Sequence, residues 1–88
     1  MTETGQSFVT WLMKQNPSKP IDQMDYSRCA LGLFYKELDV RLDIQTSPVY
    51  AELCSNHLMY DINQNKTYGG VHKLIKQRIK DGNLSYDI

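Results

Sequence analysis

Cysteine, histidine and aspartate are the residue types in this chain best suited to chemistry, and their spacing limits what they can do. Cys54 and His57 are three residues apart, and Cys29 and His72 would complete a set of four zinc ligands. Structural zinc sites are usually built from two close ligand pairs, and only one such pair exists here. The two cysteines therefore read as reduced, half-buried thiols. The histidines divide: His57 falls in an apolar stripe and reads as a packed core residue, while His72 flanks a later stripe beside Lys73 and suits contact with a partner. Asp39 and Asp43 fall in an alternating segment, which sends both carboxylates to solvent rather than into an acid–base pair. There is no Gly-rich phosphate loop, no Gly-x-Ser-x-Gly and no His-Glu-x-x-His. The expectation is a non-enzymatic protein with no metal and no cofactor.

The remaining chemistry is charge. The ten basic and ten acidic side chains cancel over the whole chain, but not along it. Residues 1–65 hold five basic and eight acidic groups, a net −3; residues 66–88 hold five basic and two acidic groups, a net +3. Lys66, Lys73, Lys76 and Lys80 in that terminal segment, with Thr67, Tyr68, His72, Gln77 and Arg78, form the candidate binding set. Solvent-directed lysines on one helix suit the phosphate backbone of nucleic acid, neutralising about three phosphates, or alternatively an acidic protein surface. Arg78 stands out because the helical wheel puts it inside the apolar stripe with Val71 and Leu74. It reads either as an arginine that lays its stem on the core or as an interface anchor.

These residues need a scaffold, and 88 residues supply a single modest core. Phe8, Trp11 and Leu12 lie at i, i+3, i+4 and mark a first helix that Pro17 ends near Asn16. Pro17-Ser18-Lys19-Pro20 is a stiff connector. A second, nearly all-apolar helix follows Asp22 and runs through Leu31, Phe34 and Tyr35 to about Leu38. Leu38 to Gln45 then alternates as a half-buried strand does. Ser47-Pro48 starts a third helix that is expected to reach Met59 or Tyr60, with Val49, Tyr50, Leu53, Cys54, His57 and Tyr60 on one side. Asp61 to Lys66 reads as a turn. The last helix begins near Thr67, carries Val71, Leu74, Ile75 and Ile79 inward, and stops at Asp81-Gly82. Asn83 to Ile88 alternates again and reads as a terminal strand.

The reading is thus a mostly α (α+β) single domain over 1–88: about four helices and a short two-stranded β element. It comprises an N-terminal helix (1–16), a Pro-containing connector (17–21) and a core (22–88). The segments Ser47 to Leu53, Tyr68 to Lys76 and Lys80 to Tyr86 resemble a winged helix-turn-helix domain. That resemblance implies that the helix from Thr67 acts as the recognition helix and that Leu42-Asp43-Ile44 pairs with the wing. The chain departs from that pattern in two places. Tyr60 to Lys66 is longer than the usual tight turn, and only one wing strand precedes Ile88. Ser7 to Lys14 separately resembles the opening helix of small sterile-alpha-motif-like bacterial proteins of the YozE type, without implying a function.

No apolar run approaches the ~18 residues of a membrane span. The opening Met-Thr-Glu-Thr-Gly-Gln has neither the basic nor the apolar region of a signal peptide. A cytoplasmic location is expected. A nucleic-acid-binding regulator is the first functional expectation. The alternative is a protein-binding inhibitor, immunity or host-takeover factor of the kind phages and mobile elements encode, motivated by the six tyrosines and by Arg78. A homodimer pairing through Leu84–Ile88 as an edge strand is a third expectation.

Overall fold

The computed structural model describes residues 4–21, 29–39, 46–55 and 57–88. Among them are five helices: α1 (Gly5–Met13), α2 (Ala30–Glu37), α3 (Pro48–Ser55), α4 (Leu58–Asn63) and α5 (Tyr68–Lys80). The first turn of α1 is closed by a reciprocal cap. Thr4 Oγ1 accepts from the Ser7 N–H at 3.0 Å, and Ser7 Oγ accepts from the Thr4 N–H at 2.8 Å. At the other end, the Asn16 side chain accepts from the Ser18 N–H at 2.9 Å and turns the chain across Pro17.

Ser47 starts α3 as its sequence indicates, its hydroxyl accepting from the Tyr50 N–H at 3.0 Å. The single helix expected from there to Tyr60 is two helices. His57 adopts a left-handed conformation (φ 62°, ψ 10°) and separates α3 from α4. The reason is the register of the apolar residues. In an unbroken helix, at about 100° per residue, Leu58 and Ile62 would point away from the side defined by Val49 and Leu53. The break re-aims the chain so that Leu58, Met59 and Ile62 are buried together with Val49 and Leu53. The same rotation turns His57 outward, so the expected core histidine is exposed. The turn expected at Asp61 begins only after Asn63, since α4 runs through that residue.

Helix α5 ends as expected. Gly82 takes φ 77°; its N–H donates to Ile79 O at 3.1 Å, and the Asn83 N–H donates to Arg78 O at 2.8 Å. These two bonds form a Schellman stop. They deliver Leu84 into the core.

Beyond Leu84 the extended tail crosses helices instead of joining a sheet. The Gln6 side-chain amide both donates to Asp87 O (2.7 Å) and accepts from the Asp87 N–H (2.9 Å). The Tyr86 hydroxyl donates to Glu52 Oε1 at 2.6 Å. A Cβ on Gly5 would lie 2.5 Å from both Glu52 Oε1 and Tyr86 Oη, so a side chain there would displace the ends of this bonded pair. The fold is therefore mostly α. Among the described residues the expected two-stranded β element is absent, and the one β-type pairing is an isolated antiparallel bridge between Pro20 and Thr67. The strand expected over 38–45 begins with Leu38, the C-cap of α2, and with Asp39 at φ 56°; residues 40–45 lie outside the described residues, as do 22–28 of the expected second helix.

The centre of the core is aromatic. Phe8 and Trp11 of α1 meet Phe34 of α2 at centroid distances of 5.2 and 5.8 Å, and the Tyr68 ring stands edge-on to Trp11 at 5.9 Å. The Trp11 indole N–H donates to Glu37, which satisfies its polar edge at the end of α2.

Candidate functional site

Helix α5 divides into two faces. Tyr68, Val71 and Ile75 are buried, whereas Lys73, Lys76, Gln77 and Lys80 are exposed. No carboxylate among the described residues pairs with Lys66, Lys73, Lys76 or Lys80. The lysines at 73, 76 and 80 are spaced i, i+3, i+7 and rise about 10 Å along one side of the helix. Gln77 is turned toward the helix end, its Nε2 donating to Asp81 Oδ1 at 2.9 Å.

The remaining members of the candidate set are placed differently. Tyr68 is 0% exposed and belongs to the core rather than to a partner surface. Its hydroxyl has no hydrogen-bond partner among the described residues, and burial, with the nearby Cys29 and Glu37 charges adding to it, pushes the phenol up to about 12. Thr67 is half-buried in the bridge to Pro20. His72 is also half-buried, and its Nε2 lies 2.7 Å from Leu12 O. A carbonyl only accepts, so the proton of that bond sits on Nε2. Arg78 lies on the core side, as the wheel indicates, and pairs with Asp61 of α4; the two side chains are 21% and 31% exposed. Its partner is internal, which removes the reason for reading it as an interface anchor.

The N-terminus of α5 is covered. The Tyr68 N–H donates to Lys19 O (3.1 Å) and the Gly69 N–H to Pro17 O (2.9 Å), while Lys66 O accepts from the Ile21 N–H (2.8 Å). A Cβ on Gly69 would stand 3.0 Å from Pro17 O and one on Gly70 would meet the Asn65 side chain, so Gly69 serves close passage of the connector and the helix start is not a loop open to phosphate. Lys19 lies over the outer side of Tyr68, its Nζ 5.6 Å from the ring centroid.

The other candidates do not assemble. Cys29 is buried, Cys54 and His57 are exposed, and His72 is bonded to α1; no metal-holding group occurs among the described residues. The cysteines are not joined in a disulfide. Asp39 is exposed just after α2, and Asp43 lies outside the described residues. An open groove of about 420 Å³ runs between α1 and the tail, lined by Gln6, Thr10, Met13, Lys14, Asp87 and Ile88. No helix among the described residues is long and apolar enough to cross a membrane. Comparison with protein-family models, with curated proteins and with solved structures returns no match.

Proposed function

We propose that this chain is a small non-enzymatic regulator that binds nucleic acid through the phosphate backbone, using the exposed face of α5. The observation that carries the reading is the run of Lys73, Lys76 and Lys80 on one side of that helix, with Lys66 just before it and no carboxylate among the described residues paired with any of them. Backbone contact rather than base reading is favoured by the covered helix start. A recognition helix reads base edges with its N-terminal residues. Here Tyr68 is buried and Gly69 is packed on Pro17. A winged-helix-like recognition helix is thus retained only as a phosphate-contacting element, and sequence preference is expected to be slight. His72, Thr67, Tyr68 and Arg78 act as its supports.

Titration of a labelled DNA duplex tests this. With Lys66, Lys73, Lys76 and Lys80 each neutralising about one phosphate, these four lysines alone should contribute about −3.6 to the slope of log K against log salt, so the observed slope should be at least that steep. Absence of binding at about 50 mM salt overturns the reading.

A second reading, a protein-binding inhibitor or host-takeover factor, is favoured by Tyr60. This aromatic on α4 is 67% exposed, and exposed tyrosines are frequent anchors at protein interfaces. A nuclease-treated pull-down in which a protein partner is lost with Tyr60→Ala but kept with Lys73→Glu/Lys76→Glu would favour it over nucleic acid.

A further inference from the structure

We infer that the phosphate-binding surface is composite: Lys14 and Lys19, at the corner where α1 turns into the connector, extend the lysine face of α5. This rests on the reading given under Proposed function and adds residues from the half of the chain whose net charge is negative.

Three hydrogen bonds fix that corner against α5. His72 Nε2 donates to Leu12 O at 2.7 Å, the Gly69 N–H to Pro17 O at 2.9 Å, and the Tyr68 N–H to Lys19 O at 3.1 Å. Lys14 is the C-cap of α1, two residues beyond Leu12, and is exposed. Lys19 is held in place over the Tyr68 ring, with its Nζ 3.5 Å from Gln15 Oε1. On the wheel, His72 and Lys76 lie on the same flank of α5. The bond from His72 to Leu12 therefore brings the end of α1 alongside the lysine face.

The end of a helix normally repels an anion, because its last carbonyls carry negative partial charge. At α1 these carbonyls are engaged: Leu12 O by His72, and Trp11 O by Gln15 Nε2 at 3.1 Å. Among the described residues no carboxylate pairs with Lys14 or Lys19: Glu37 accepts the Trp11 indole N–H, and Asp87, which lines the same groove as Lys14, is held to Gln6 by its main chain. The corner thus carries two exposed lysines at a helix end whose negative charge is partly covered.

The test uses the full chain and a fluorescein-labelled DNA duplex, followed by anisotropy between about 50 and 200 mM salt. Six lysines give a slope of about −5.4, so the wild-type protein should lose about a thousandfold in affinity across that range. Lys14→Gln/Lys19→Gln should bind more weakly at low salt and lose only about a hundredfold, a slope shallower by about two. Thermal melting checks that Lys19→Gln leaves the fold intact. Lys14→Gln alone, at an exposed position, should flatten the slope by about one. A double variant with wild-type slope and affinity, alongside a Lys73→Gln/Lys76→Gln/Lys80→Gln variant that loses binding, would overturn the composite surface and leave the function standing. No binding by wild-type protein at low salt would overturn both.

Discussion

His72 and Leu12, sixty residues apart in sequence, are joined by a 2.7 Å hydrogen bond from the imidazole Nε2 to the main-chain carbonyl. This bond ties the middle of α5 to the last turn of α1 and sets the distance between the two basic segments. His72→Ala should cost about 1 kcal/mol, the net worth of one such bond, since Leu12 O keeps the Gln15 N–H as a donor. The midpoint of urea unfolding measures it. A midpoint equal to that of the wild type would show the bond to be idle.

The break between α3 and α4 rests on a left-handed histidine. His57→Gly removes the steric cost of its Cβ at φ 62° and should raise stability by about 1 kcal/mol. His57→Val should lower stability by at least as much, since a branched Cβ fits that region poorly. Denaturant midpoints of the two variants should move in opposite directions. If the glycine variant is the less stable one, the continuous-helix arrangement is the better description.

Tyr68 makes stability fall in alkali. Below the ordinary tyrosine pKa of about 10, folded and unfolded chains both keep the proton, and the contribution is complete. Between there and about 12 the unfolded chain releases it and the folded chain does not, so stability declines by up to ~1.4 kcal/mol per pH unit. Tyr86 is shifted in the same direction, by burial first and then by its bond to Glu52, and adds to the slope. Tyr68→Phe removes a buried hydroxyl with no partner among the described residues. It should be neutral or stabilising near pH 7 and should show a shallower alkaline loss. Urea titrations at about pH 7 and about pH 11 on both proteins provide the comparison. Identical pH slopes would contradict it.

A Cβ on Gly69 would meet Pro17 O at 3.0 Å and Pro17 Cβ at 3.3 Å, so a side chain there requires the connector to shift by a few tenths of an ångström. Gly69→Ala should destabilise by about 1–2 kcal/mol despite alanine's better helix propensity. Increased amide hydrogen exchange at Gly69 and Tyr68 would locate the effect at the connector. Protection unchanged from the wild type would show that the contact is dispensable.

Much of the fold was legible where a local pattern and a stop signal agree. Phe8, Trp11 and Leu12 followed by Pro17 defined α1, and Val71 and Ile75 followed by Gly82 defined α5. Ser47-Pro48 marked the start of α3. The break at His57 was not legible, since each half of 48–63 is helical by itself and only the shared core decides how the two apolar sets face. The terminal alternation holds as far as Tyr86 and then fades: Leu84 is buried and Tyr86 half-buried, but Ile88 is 60% exposed. Period two reports extended chain, however, whether it is paired in a sheet or laid over helices. In the candidate site, the wheel found the outward lysines and the inward Arg78. It could not show Asp61 waiting for Arg78, nor the connector that sends Tyr68 inward and carries Lys19 beside it, because both depend on segments far apart in sequence.

The Gln6 clamp has a further consequence. A carboxamide that donates to one peptide oxygen and accepts from one peptide N–H makes the same two bonds that a neighbouring strand would make. It therefore recognises the tail by its main chain alone. Any residue at position 87 except proline keeps both bonds. Sequence drift at that position should leave the anchoring intact, while the identities of Leu84 and Tyr86, whose side chains do the docking, are held.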